Sequence, residues 1–257
     1  MNVTTALAPK TVPGAAFGKI VLNEARLAWR QPFGLAAGVG FPLVLTVTFG
    51  ELPKFRQPQA GFGWLTEFDV YVPVLAVFAI TILAIWSLPV PLASYREQGI
   101  LRRLRTTPVP PSWLLAAQLV IQLCLAVTGL VTVFVVSGAA FGVPESPGAL
   151  VAASALAIAG LFPLGLVPAA LARTAGTASV IGRLAFFPLM FFAGLWLPRP
   201  LMPGLLRDIS DYTPVGAAAE ILQDSMQGQL PPAAPLLALA GYALVFSLLA
   251  RRFFRWE

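Results

Sequence analysis

Histidine is absent from this 257-residue sequence, and cysteine occurs once, as Cys124 inside an apolar run. Without histidine the chain lacks the commonest general base, the commonest metal ligand and the usual switch near neutral pH. A single cysteine allows no intrachain disulfide. Charge is scarce as well: Asp, Glu, Lys and Arg make up 11% of the residues, against roughly 25% in a soluble domain. Hydrophobic residues account for 58%, so there is too little polar surface to cover a water-soluble globule, and the chain belongs in a bilayer. Its 24 Pro and 22 Gly punctuate apolar runs without any periodic repeat, which excludes a low-complexity or disordered chain.

What the sequence does have is six stretches free of charge, at 31–50, 70–95, 106–144, 146–172, 184–198 and 225–250. A Lys, Arg or Asp at the centre of a spanning helix costs about 2.5–3.5 kcal/mol, so such stretches mark membrane spans. About 20 residues cross the hydrocarbon. The fifth stretch reaches that length only if its helix starts near Ala175 and Arg183 snorkels to the headgroups. Pro108, Pro110 and Pro111 delay the third helix to about Ser112. The expected architecture is a single all-α transmembrane domain over 1–257, with spans near 31–50, 70–93, 112–141, 148–172, 175–197 and 233–250. Thirteen of the 17 Lys and Arg fall on alternate flanks of these spans, with both termini on the basic side. The positive-inside rule then makes both termini cytoplasmic. The basic balance is an inner-leaflet collar and gives no reason to invoke nucleic acid.

The first 30 residues mix Lys10, Lys19, Glu24, Arg26 and Arg30 with no continuous apolar core, so no cleavable signal peptide is expected. From Gly14 to Arg30 the pattern is that of an interfacial amphipathic helix. Phe17, Ile20, Val21, Leu27 and Ala28 share one arc, and Lys19, Arg26 and Arg30 lie opposite. Such a helix either anchors the N-terminal region to anionic lipid or couples to a partner subunit. Trp64, Trp113, Trp196 and Trp256 fall near span ends, as belt residues do.

Chemistry has little to work with. None of the six charge-free stretches holds an Asp, Glu, Lys or Arg in its middle, which weighs against catalysis, ion-coupled carriage and a charge-ringed channel. Asp208 and Asp211 read as a solvated helix terminus. There is no metal-ligand spacing and no phosphate-binding loop of the G-x-x-x-x-G-K-[ST] kind, so ATP would have to bind to another subunit. In the loop 94–111 a helix would put Ile100, Leu101 and Leu104 on one stripe with Glu97 inside it. Glu97 has no Lys or Arg at i+3 or i+4, and a donor on another subunit is the expected partner. Read from composition alone, this loop is also compatible with a plain basic loop. Gly34-x-x-x-Gly38 and Gly138-x-x-x-Gly142 have spacing suited to close helix approach.

Tyr95-Arg-Glu97-Gln-Gly99-Ile-Leu101-Arg-Arg-Leu104-Arg-Thr-Thr107-Pro108 closely resembles the cytoplasmic loop of ABC-2 type permeases, the membrane subunits of bacterial ATP-binding-cassette exporters. Phe192-Ala-Gly194-Leu-Trp-Leu-Pro198, Met202-Pro203-Gly204 and Tyr212-Thr-Pro214 resemble that family's outer re-entrant hairpin. Arg30-Gln-Pro32, Pro42 and Phe49-Gly50 are similar to its first span. Ile100 stands where the family usually has Thr, Arg105 where it has an apolar residue, and Thr213-Pro214 in place of Asn-Pro.

The resemblance implies a multi-pass protein of the bacterial cell membrane, paired with a second permease, identical or homologous. Two copies of an ATP-binding subunit would hold ATP and Mg, with no cofactor in this chain. It implies a coupling helix over 94–107, in which Glu97, Gly99, Ile100, Leu101 and Leu104 dock the ATPase. Phe17, Ile20, Val21, Glu24, Arg26 and Arg30 would form a connecting helix. An outer hairpin over 198–212 would gate the pathway, with Phe187, Phe191, Trp196, Pro198, Pro203 and Tyr212 along it. The crowd of Phe186, Phe187, Phe191, Phe192 and Trp196 suits an apolar or amphipathic substrate, and equally suits lipid. The function expected is transport rather than catalysis. The rivals are a lipid-modifying membrane enzyme, a nucleotide-independent channel or carrier, and an assembly factor.

Overall fold

A computed structural model describes residues 14–30, 32–104, 106–107, 109–142 and 147–253. Lys10, Gln31, Arg105, Pro108 and Trp256 lie outside them. Six helices are long and apolar enough to cross a membrane: Phe33–Glu51, Glu67–Glu97, Pro111–Phe141, Gly148–Leu171, Ala175–Ala193 and Ala233–Arg252, spans 1 to 6. An amphipathic helix, Gly14–Arg30, precedes them, and among the described residues no β-strand forms.

Span 2 is the axis of the bundle. Its apolar window is 89% buried, whereas no other span exceeds 39%. Val72, Leu75, Ala76, Val77, Ala79, Ile80, Leu83, Ala84 and Leu88 have no exposed surface worth the name, because spans 1, 3, 4 and 5 surround them. Lipid is as apolar as leucine, so what holds such a bundle together is close packing and the satisfaction of backbone polar groups.

Proline interrupts that satisfaction, and at two places a glycine lets a neighbouring helix pack directly over the carbonyl left behind. A proline has no N–H for the carbonyl four residues back, and its ring crowds that carbonyl. Pro42 in span 1 and Pro89 in span 2 each follow a wide π-type turn, at Ala36–Gly40 and Ile82–Ser87, which relieves the clash. The carbonyls four residues before these two prolines are those of Gly38 and Ile85. Each is covered by a glycine from a neighbouring span: a Cβ on Gly129 of span 3 would sit 2.4 Å from the Gly38 oxygen, and one on Gly182 of span 5 would sit 2.6 Å from that of Ile85. Gly34 and Gly38 also press against Ser87 and Leu83 of span 2, so that pair packs as its spacing suggested. Gly142 instead caps span 3 in the left-handed region (φ 72°). Hydroxyls inside the spans bond back one turn, as Thr46 does to Pro42 O at 2.8 Å and Thr132 to Thr128 O at 2.7 Å.

Three boundaries differ from expectation. Span 5 stops at Ala193, four residues early, because Gly194 turns with φ 98°. The loop helix over 94–107 is in fact two pieces: 94–97 completes span 2, Gly99 breaks the helix with φ 67°, and only Ile100–Leu104 continues. The hairpin expected over 198–212 runs on to residue 226, since a second arm, Pro214–Met226, follows the first, Gly204–Tyr212. Val215, Ala217, Ala218, Ala219, Ile221 and Leu222 bury this second arm against spans 2, 4, 5 and 6.

The glycine contacts make a direct prediction. Gly129→Ala and Gly182→Ala each force a Cβ onto a backbone oxygen and should lower stability by ~1–3 kcal/mol. Gly241→Ala in span 6, with nothing within 4 Å of its Cβ position, should not. Thermal unfolding of the three variants in one detergent checks this.

Candidate functional site

The larger polar clusters lie at the two ends of the bundle. Between them Gln122 of span 3 donates to Ser87 of span 2 at 3.0 Å, and Arg183, midway along span 5, lies 5.8 Å from the Trp86 ring. At the Arg-rich end the amphipathic helix lies against the start of span 3, with Phe17 edge-on to Trp113 at 5.6 Å between centroids. The centre of its buried face is a carboxylate: Glu24 is 4% exposed. Glu24 Oε2 accepts from the Tyr95 hydroxyl at 2.6 Å and from the Gln118 side-chain amide. The same Gln118 nitrogen lies 3.2 Å from Tyr95 Oη. A buried carboxylate is costly unless hydrogen bonded, and here two neutral donors, from spans 2 and 3, tie the amphipathic helix to the bundle. Glu24 falls within the arc of Phe17, Ile20, Val21 and Ala28, which is the signal that could have found this contact from sequence. Leu27, placed on that arc, is 42% exposed.

Where span 2 ends, two adjacent side chains hold the turn between spans 4 and 5. Arg96 Nη1 donates to the carbonyls of Ala170 (3.2 Å) and Ala172 (2.9 Å), at the C-terminus of span 4. Glu97 Oε2 accepts from the Ala175 amide at 2.9 Å, at the N-terminus of span 5. Each charge thus meets the helix end whose dipole favours it. The donor expected for Glu97 on another subunit is therefore found within this chain.

Beyond Gly99, the short helix Ile100–Leu104 buries Leu101 (6% exposed) and leaves Arg102 and Arg103 exposed. Leu101 accordingly holds this helix in place and is no longer a contact for a partner. Ile100 and Leu104 remain half-open. With Ile20, Leu22, Leu27 and Leu114 they line a groove of about 600 Å³ between the two helices, rimmed by Lys19 and Arg26. The exposed Arg30 closes the same helix.

At the opposite end Arg199 joins both arms of the hairpin. Its Nη2 pairs with Asp211 on the first arm and with Glu220 on the second (3.0 Å), and its Nε donates to Ser210 Oγ at 3.1 Å. The Ser210 hydroxyl in turn donates to Phe192 O at the end of span 5, at 2.6 Å. Arg199 is 13% exposed. Asp211 is thus an ion-pair partner, where the sequence suggested a solvated terminus. Arg199 also borders a cavity of about 170 Å³ with Arg207, Glu220, Gln223 and Asp224. Burial and the Glu220 charge raise Asp224 to about 6, against the opposing pull of Arg199. Among the described residues no group of three or more His, Cys, Asp or Glu gathers as metal ligands would.

The residues expected along a pathway divide. Phe187 and Trp196 stack at 6.0 Å and are both about half exposed, Phe191 is half-buried and Pro198 buried. Pro203 and Tyr212 are exposed at the two ends of the first arm, and Tyr212 O accepts from Tyr242 at 3.0 Å. Gln118, Arg199 and Glu220 carry polar contacts without standing out in the sequence, and Tyr95 and Arg96 stand in the loop pattern around Glu97 with no role assigned to them there. Their partners lie tens of residues away or across a loop.

Comparison with known proteins places these features. The family model described as ABC-2 type transporter matches residues 16–226. The chain is 24% identical over 184 residues to the Bacillus subtilis (strain 168) protein named "Putative transport permease YvfS", covering 70% of this chain and 75% of that protein.

The Glu24 node can be tested by itself. Tyr95→Phe leaves the buried carboxylate one donor short and should cost ~1–3 kcal/mol. The same change in a Glu24→Leu background should cost clearly less. A double-mutant cycle on thermal unfolding measures the difference.

Proposed function

Because the chain belongs to the ABC-2 type transporter family, and is on that ground a multi-pass transport permease, we propose that it forms the membrane half of an ATP-binding-cassette exporter. Membership of this family implies an ATP-binding partner and pairing of permeases. In this reading two ATP-binding subunits supply ATP and Mg, and a second permease, identical or homologous, completes the pathway. The chain performs no catalysis of its own. It sits in a bacterial cell membrane with both termini and the Arg-rich end in the cytoplasm, and it exports an apolar or amphipathic substrate past Phe187, Phe191 and Trp196.

The observation that carries this reading is the half-open groove between the amphipathic helix and Ile100–Leu104. It offers apolar side chains with Lys19 and Arg26 at its rim, and Arg102 and Arg103 lie exposed on the short helix that forms one wall, a surface suited to an apolar knob with an acidic surround. Ile100 and Leu104 make the contact, while Glu97, Gly99 and Leu101 set the position of the short helix. Movement of that helix on ATP binding pulls on Arg96 and Glu97, and through them on spans 4 and 5. At the far end the hairpin then opens as an outer gate. Transport requires the inward- and outward-open states to bind substrate with different affinity.

The test is co-purification in mild detergent from the native source, with mass spectrometry of what accompanies the chain. An ATP-binding subunit should come down with the wild type. It should be lost or reduced at least tenfold with Leu104→Glu and with the exposed pair Arg102→Glu/Arg103→Glu, at unchanged thermal stability. A well-folded wild type with no ATPase attached would rule out the exporter reading in favour of a channel or carrier.

A further inference from the structure

The hairpin carries more acid than the arginine holding it can neutralise. Arg199 is shared between Asp211 and Glu220. Asp224 lies one helical turn beyond Glu220 on the same face of the second arm and lines the 170 Å³ cavity. The charged groups bordering that cavity with it are Glu220 on its own arm, Arg199 on the preceding turn and Arg207 on the first arm; span 2 contributes only Val70, Pro73 and Val74 there, and the loop before it Leu65. Asp211 stands behind Arg199 on the first arm.

Ionising Asp224 in the closed hairpin places a second negative charge beside Glu220 in a half-buried site. When the arms part, water screens both carboxylates and Arg199 releases one of them. The closed arrangement therefore holds a proton on Asp224 more tightly than the parted one does, the direction already seen in its raised value. We propose that the two arms form a proton-sensitive latch, which Arg199 pins shut and which a proton on Asp224 favours closed.

The sign follows from linkage. Asp224 takes its proton near 3.8 when free and near 6 in the closed hairpin. The closed state gains its full advantage below the lower value and loses it as pH rises through the upper one. The gap corresponds to a shift of about 100-fold in the ratio of closed to parted forms. If this end faces the exterior, which rests on the function proposed above, acid outside holds the gate shut.

Hydrogen exchange of the amides of residues 214–226, in the full chain in lipid nanodiscs from pH 4.5 to 7.5, reads this ratio once each rate is divided by its intrinsic value. Wild-type protection should fall by about 30-fold across that range, and Asp224→Asn should remove the slope. Arg199→Lys, which keeps the charge but cannot fork to both arms, should lower protection at every pH. A flat wild-type profile, or an unchanged slope in Asp224→Asn, overturns the proton step. Unchanged protection in Arg199→Lys overturns the pin. The measurement needs neither ATPase nor substrate, so failure of the exporter reading leaves it standing, and its own failure leaves that reading intact.

Discussion

A backbone that crosses hydrocarbon must find a partner for its hydrogen-bonding groups inside the protein; proline prevents that at several places in the spans, and at two of them a neighbouring glycine closes over the carbonyl left behind. Pro42 and Pro89 offer no N–H to the Gly38 and Ile85 carbonyls four residues back. A side chain on the neighbouring helix would hold these oxygens away from any cover, so spans 3 and 5 present Gly129 and Gly182 there. The consequence is short interhelical distance around span 2. With that span enclosed on all sides, the other five are left with wide lipid-facing or partner-facing surfaces, and large side chains such as Val131, Val151, Leu184 and Leu244 stay exposed on them.

The same constraint moves charge to the ends. Arg96 and Glu97 satisfy the carbonyls and an amide where spans 4 and 5 turn, where the helix ends themselves leave groups unpaired. At the other end Arg199 performs a related task for the hairpin, but with a difference in balance. The pair Arg96 and Glu97 is internally neutral, whereas Arg199 faces Asp211, Glu220 and the nearby Asp224. One end is built as a fixed joint. The other carries an excess of negative charge that partial burial makes sensitive to protons.

The six spans could be read from the sequence because the exclusion of charge from hydrocarbon is a strong signal spread over about 20 residues. The second arm of the hairpin could not. Glu220 and Asp224 disqualify Pro214–Met226 under that same rule, although most of its residues are buried. This short helix can hold acids because Arg199, on the turn before the first arm, pairs with Glu220. Span 5 was read four residues too long for a local reason, the left-handed turn at Gly194, which a charge count does not register. The site was legible in part. The loop pattern around Glu97 pointed to the Arg-rich end, but the donor for Glu97 is a backbone amide 78 residues away, and no side-chain pattern announces a backbone donor. Glu24 was visible as a connecting-helix residue, yet its place in the middle of the apolar arc was the feature that set its role.

Span 5 connects the two ends. Its first amide, at Ala175, is held by Glu97, Gly182 seats it on the open carbonyl of span 2, and the Phe192 carbonyl near its last residue accepts from Ser210 of the hairpin. Nineteen residues at 1.5 Å each make a rod of about 28 Å, tied at its foot, middle and head. Ser210 also receives Arg199, so the head of the rod and the pin of the latch share one hydroxyl. Between Gly182 and the head, Pro188 interrupts the helix's own hydrogen bonding, so a displacement at the foot is divided between a bend there and a movement of the head. The head is held by the Ser210 hydrogen bond and by the buried side chains of the second arm packed on span 5. The rod thus couples the Arg-rich end to the hairpin through one backbone hydrogen bond at each end and one glycine seat between them.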